Sequence, residues 1–257
     1  DRLEFDTLEA KFTADRDRVM LDRLQITPSA GGEIQAKGAL EVASQQLDFD
    51  FSADLPIDAL AASYDLPPQI QTQIQVGTLV AQGELGGTLQ NPAAELTWRL
   101  PGATATLPTS DRAIGITGDG EVTVRDRTLA VNNTTLRVGE GTIAIAALAD
   151  LNTQNWNADI ATTSIPLSPF LPAPLASIPA LSLQQGNITA SGKLDDLNLN
   201  GIEAIANLNL AVDRGTIATL ARLSRGQVTV TANSQDIPLN WSLEPICKEL
   251  PISCPSV

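Results

Sequence analysis

No histidine occurs anywhere in the 257 residues of this chain. That removes the side chain most used as a general base near neutral pH, and with it the common serine- and cysteine-based triads. Only two cysteines are present, Cys247 and Cys254, and two thiols without histidine cannot complete a structural zinc site. They flank Pro251, so a local disulfide is open to them in an oxidising compartment, two separate thiols being the alternative. Basic residues are scarce: 16 Lys and Arg stand against 30 Asp and Glu, a net charge of −14. Phosphate neutralisation needs a basic stripe, so nucleic acid is excluded as a partner and anionic headgroups are disfavoured. The acidic excess instead keeps an apolar-rich chain from adhering to itself.

Aromatics make up 4% of the chain although 43% is hydrophobic. Ala, Leu, Ile and Val therefore carry the burial, giving wide surfaces without the large anchors that fill a thick core. No run of about eighteen uncharged apolar residues exists, so nothing here spans a bilayer as a helix. There is no basic stretch leading into an apolar one, as a secretory signal would need. The chain opens on Asp1-Arg2-Leu3 without an initiator methionine, which reads as a segment of something longer.

What is present is a repeat. Gly-x-(Ile/Leu)-x-Ala-x-Gly-x-Leu occurs at Gly32–Leu40, Gly77–Leu85 and Gly186–Leu194, with a looser copy at Gly141–Ala149 that lacks the second glycine. The first glycines are spaced by 45, 64 and 45 residues, which makes a pair of copies repeated at an offset of 109. Each copy alternates apolar with mostly polar residues, the period of a strand with one apolar face. Repeats on this scale belong to elongated stacked arrays.

The same alternation continues through Leu47, Phe49 and Phe51, then Ile114 to Val124, Trp156 to Ile160, Leu208 to Val212, Val228 to Val230 and Ile237 to Trp241. Turn signals such as Gly86-Gly87, Asn91-Pro92, Pro101-Gly102 and Asn152-Thr153 separate the runs, giving fifteen to twenty expected strands, on the order of one per 12–15 residues. Near Gly77 the apolar parity switches, which marks the site of a bulge. The charged stretch Leu3 to Ile26 fits no single period and reads as short strands. Leu55-Pro56-Ile57, Ile165-Pro166-Leu167 and Ile237-Pro238-Leu239 each follow an alternating run. Proline ends a strand and opens a helix, so short helices are expected after Pro56 and after Pro166. Thr216 to Ser224 suits either state, and a third short helix is favoured there.

No catalytic constellation survives inspection. Asp195-Asp196 is the only adjacent acidic pair and falls where a turn is due. Asp15-Arg16-Asp17-Arg18 and Asp126-Arg127 read as solvated turns or edge charges that discourage aggregation. Gly118-Asp119-Gly120 lacks the strand-to-helix context of a phosphate loop. The sheet itself remains. A sandwich would bury its apolar face against a second sheet. A sheet that curls without collapsing would leave a trough lined by small aliphatics and needing apolar cargo, for which acyl chains fit.

The recurring Gly-x-(Ile/Leu)-x-Ala-x-Gly-x-Leu strands, the Asn91-Pro92 turn, and the segments Asp54-Leu55-Pro56-Ile57, Ile165-Pro166-Leu167-Ser168-Pro169-Phe170 and Asp236-Ile237-Pro238-Leu239 resemble the TamB family. These translocation and assembly module proteins are related to AsmA-like proteins and to a plastid inner-envelope translocon component. The likeness runs roughly from Gly31 to Trp241. It implies a long sheet folded lengthwise into an open, taco-like groove with a greasy interior. It also implies a parent protein anchored in the inner membrane that crosses the periplasm to an outer-membrane barrel partner of the Omp85 type. Such proteins are implicated in outer-membrane protein assembly and in bridge-like phospholipid transport. The Cys247/Cys254 pair and the acidity are not part of the resemblance.

The expectation is thus an all-β, elongated, curled sheet with one to three short helices and no enzymatic activity or cofactor. Residues 1–30 form a lead-in, 31–241 the repeat region and 242–257 a tail holding the cysteines. Ile34, Ala36, Leu40, Leu79, Ala81, Leu85, Ile143, Ile145, Ile188, Ala190 and Leu194 are expected to line a groove for phospholipid acyl chains. The competing expectation is a structural module that assists barrel assembly by strand pairing.

Overall fold

The computed structural model describes residues 5–29, 31–57, 74–107, 110–167, 181–212 and 215–236. Fourteen strands follow one another in chain order: β1 (Phe5–Ala14), β2 (Arg18–Pro28), β3 (Glu33–Glu41), β4 (Gln46–Pro56), β5 (Ile74–Gly87), β6 (Pro92–Leu107) and β7 (Ser110–Arg125). The second half comprises β8 (Thr128–Val138), β9 (Gly141–Asp150), β10 (Asn155–Pro166), β11 (Ser182–Lys193), β12 (Glu203–Val212), β13 (Gly215–Ser224) and β14 (Gln227–Gln235). All belong to one antiparallel sheet whose spatial order equals the sequence order, and β1 does not pair with β14. Thirteen strand-to-strand steps at about 4.8 Å give an edge-to-edge length of roughly 60 Å. Among the described residues each strand makes substantial contact only with its chain neighbours, so no second layer covers the sheet.

Alternating sequence becomes two unlike faces because cross-strand partners share a side. Ile34 pairs with Ala53, Ala53 with Ala81 and Ala81 with Trp98. Further along, Ile145 pairs with Ile160 and Ile160 with Ile188. Traced through every ladder, no charged residue occupies a paired position on this side. On β4, Leu47, Phe49, Phe51, Ala53 and Leu55 are buried or half-buried while Asp48, Asp50, Ser52 and Asp54 are exposed, and β10 and β12 show the same alternation. With no covering layer among the described residues, such one-sided burial comes from curvature: the sheet curls with its apolar face inward.

Packing is accordingly thin. Val212 is the only fully buried side chain among the described residues. One small cluster, Leu181, Val212 and Ile217 with Leu167 and Leu210 against it, sits at one rim where β10 to β13 turn. Thr134 and Thr162 are buried on the apolar side, and their hydroxyls donate to the carbonyls of Asn132 and Gly186. Both polar groups are therefore satisfied.

Several expectations change. The described residues hold fourteen strands, the run expected at Ile237 to Trp241 lying outside them, and β6 and β7 run for 16 residues each through irregularities. The Ile114–Ile116 and Val122–Val124 runs thereby become one strand. Thr216–Ser224 is strand, not helix: it forms β13, paired on both sides from Thr216 to Leu223. Two flanking ladders outweigh a helical periodicity of one and a half turns. Among the described residues only Ile57, at the end of β4, is helical; the helices expected after Pro56 and Pro166 lie outside them, as do Cys247 and Cys254. The N-terminal stretch is two long strands, and its broken period reflects register shifts at Phe5/Thr7, Lys11/Phe12 and Leu21/Leu24. The parity switch at Gly77 coincides with a register shift between Gly77 and Val80. The 109-residue offset carries β3 onto β9 and β5 onto β11.

The second glycine of the repeat has a steric role. A Cβ at Gly38 would stand 2.7 Å from Phe49 Cδ1, one at Gly83 2.6 Å from Phe51 Cζ, and one at Gly192 3.1 Å from Trp156 Nε1. In all three full copies, a ring from an adjacent strand lies down in the space the glycine leaves. In the looser copy Ala147 takes that place, opposite the small Val131 and Ala158.

Replacing Gly83 by Ala should therefore lower stability by about 1–3 kcal/mol through overpacking. Gly115, with nothing within 4 Å of its missing Cβ, should accept Ala within about 0.5 kcal/mol; thermal melts of the two variants test the difference.

The turns supply a pH response. Asp15 accepts the backbone N–H groups of Asp17 and Arg18, and Asp150 those of Asn152 and Thr153. These bonds hold both carboxyls below the ordinary 3.8. Because the folded value is the lower one, their contribution is complete above pH 3.8 and fades as the pH falls through the folded value. Protection of the Asn152 and Thr153 amides, measured against their intrinsic exchange rates, should fall in that acid window, and Asp150→Asn should remove the dependence.

Candidate functional site: the apolar concave face

Ten of the eleven residues expected to line a groove occupy this face. Ala36 pairs with Phe51 and Phe51 with Gly83; Leu40 pairs with Leu47, Leu79 with Leu55 and Leu85 with Phe49. In the second half, Ile143 pairs with Thr162, Ala190 with Ala158, and Ile145 and Ile188 both with Ile160. Leu194 differs: it lies in the turn after β11 and is 36% exposed, at a rim and not within the floor.

Two groups of candidates emerge, one on β3 and β5 and the other on β9 and β11. Sequence reasoning omitted what joins them. Leu96, Trp98, Ile116, Val122, Val131 and Leu136 continue the row across β6, β7 and β8. Their phase was readable in the alternation, but these strands carry no full copy of the repeat. Trp98 lies over Gly120, whose added Cβ would meet its Nε1 at 2.8 Å. Trp156 Nε1 is buried without a hydrogen-bond partner.

A face roughly 60 Å long and 30 Å across has an area on the order of 2,000 Å². Soluble monomers rarely expose more than a few hundred Å² of contiguous apolar surface. From β2 to β13 curling reduces the exposure to burial or half-burial, while β1 and β14 stay exposed, and the face is uncovered among the described residues. Chemically it offers dispersion contacts with few hydrogen-bonding groups, which suits hydrocarbon.

The opposite face is polar and acidic. Its ion pairs, Arg18–Glu41, Lys37–Asp50, Arg125–Glu95 and Arg137–Asp119, are all well exposed, so they contribute little to stability. Three depressions of about 660, 500 and 470 Å³ open on this polar side, the largest between Arg23, Lys37, Asp50, Glu84 and Glu95. They are dips between rows of side chains on a twisted sheet, each confined to a few strands, and the third is lined largely by Ala and Ile. Continuous one-sided burial is the better mark of the inner side, because it extends over many strands. Among the described residues no three Asp, Glu, His or Cys side chains converge as a metal site, and no helix is long and apolar enough to cross a membrane.

None of the family models, curated proteins or solved structures compared with this chain matches it.

Trp156→Phe should keep the ring over Gly192 while deleting the unpaired donor, and so leave stability unchanged or raise it by up to about 1 kcal/mol; denaturant titration measures the sign.

Proposed function

We propose that this chain is a segment of an apolar trough that holds phospholipid acyl chains and passes them between membranes. One observation carries the reading: an uncharged face runs without interruption across fourteen strands, and no second layer among the described residues fills it. Acyl chains would lie across Ile34, Ala81, Ile145 and Ile188 with headgroups wet at the open side. Movement along the face would be easy because small aliphatics repeat in every strand and present no deep well. The sequence resemblance to the TamB family extends the proposal. The parent would be anchored in the inner membrane, cross the periplasm and meet an Omp85-type barrel, and its role would lie in outer-membrane biogenesis without an enzymatic step.

A second reading has its own support. Among the described residues β1 and β14 each have one unpaired side and are exposed throughout. Such edges accept an added strand, which fits a module that templates barrel strands.

Purified chain should carry phospholipid in native mass spectrometry. In a Trp241→Phe background, phosphatidylcholine with brominated tails should quench Trp98 and Trp156. Ile145→Glu with Ile188→Glu should abolish both signals at a folding cost of about 1–3 kcal/mol. A chain that stays lipid-free, with emission indifferent to brominated tails, would overturn the trough; pairing of that lipid-free chain with a barrel-strand peptide would favour the template.

A further inference from the structure

Among the described residues the two rims of the sheet differ. Seven turns lie along one of them, joining β1 to β2, β3 to β4, and so on to β13 and β14. Each is tied to the next. Val42 N–H donates to Asp17 O at 2.9 Å, Leu89 N–H to Gln45 O at 3.0 Å, Leu151 N–H to Arg127 O at 2.8 Å, Leu194 N–H to Gln154 O at 2.7 Å and Gly226 N–H to Leu199 O at 3.1 Å. The remaining step is made by Asn91 Nδ2 donating to Asp126 Oδ1 at 3.0 Å. Among the described residues of the opposite rim, one comparable bond joins separate hairpins, from Gly139 N–H to Gly115 O.

The laced rim is also where aliphatic side chains stand out. Val42, Leu89, Leu151 and Leu194 are all exposed, as are Leu197 and Leu199. The first four are donors of the lacing bonds, and each is the next in-phase position beyond the apolar row of its strand, after Leu40, Gly87, Ala149 and Gly192. At the opposite rim Leu181, Val212 and Ile217 are instead buried against one another.

On a rim that also carries the exposed charges of Asp17, Asp126, Arg127 and Asp195, these aliphatics are the points hydrocarbon can touch. Backbone N–H groups facing an apolar phase must be satisfied within the protein, and here the lacing satisfies the N–H of Val42, Leu89, Leu151 and Leu194. The side chains continue the concave face outward. We infer that the laced rim is the lip over which acyl chains enter and leave the trough, with Leu89, Leu151 and Leu194 forming the crossing surface. The inference rests on the acyl-chain reading of the face and adds the side from which that face is loaded.

The experiment is uptake, by the full chain, of phosphatidylcholine bearing a fluorescent acyl tail from phosphatidylcholine vesicles, with rate and equilibrium amount read separately. The combined variant Leu89→Glu, Leu151→Glu, Leu194→Glu should slow uptake about tenfold while the amount bound changes less than about twofold, since only the crossing meets the new charges. Val80→Glu with Leu148→Glu, on the polar face, should leave the rate unchanged. A rim variant as fast as the unaltered chain, or an equal slowing by the polar-face pair, would overturn the lip while leaving the trough standing. Absence of uptake by the unaltered chain would remove the trough and the lip with it. Should the Glu triple fail to fold in a thermal melt, Gln at the same three positions must give the same order of rates for the inference to hold.

Discussion

Cross-strand register is the constraint on which this molecule depends. A strand has a side-chain period of two, so a slip of one residue would turn its charged positions inward. With β4 that would place Asp48, Asp50 and Asp54 on the apolar side beside Ala36 and Ala81. The irregularities respect the same rule. Where the pairing shifts at Leu21/Leu24, Gly77/Val80, Leu100/Ala103 and Val131/Thr134, the apolar phase resumes on the far side. Bulges here adjust curvature without mixing the faces.

A sheet without a partner layer cannot be stabilised by a thick core, and this chain uses lateral means. Its large side chains lie down: Phe49, Phe51, Trp98 and Trp156 each occupy space left by a glycine on an adjacent strand. Such interlocking buries ring surface against backbone, fixes register, and keeps the floor low and even. The scarcity of aromatics and the abundance of Ala, Leu, Ile and Val follow from the same geometry, because tall side chains on a concave face would meet and close it.

Much of the architecture was legible in the sequence because alternation and turn chemistry are local. The apolar phase of Ile34, Ala81, Ile145 and Ile188, the bulge at Gly77 and the turn at Asp195-Asp196 all follow from nearest-neighbour chemistry. What failed depended on partners. Residues 216–224 show a weak helical period until the ladders of β12 and β14 are placed beside them, and Leu194 looks in phase but falls past the last pairing of its strand. Trp98 and its neighbours on β6 to β8 escaped notice because a motif search follows the repeat, whereas a continuous surface is completed by strands that lack it. The lacing of the turns is invisible in sequence, since its acceptors, Asp17, Gln45, Arg127, Gln154 and Leu199, share no residue type.

The internal duplication displaces its copies by six strands, β3 to β9 and β5 to β11. Six is even, so each copied strand keeps the heading of its original, and its hairpin turns fall on the same margin. An odd displacement would have exchanged the margins at every copy. Genetic lengthening in this unit can therefore extend the sheet indefinitely while preserving which margin is which, and overall reach becomes a quantity that selection can vary separately from sidedness.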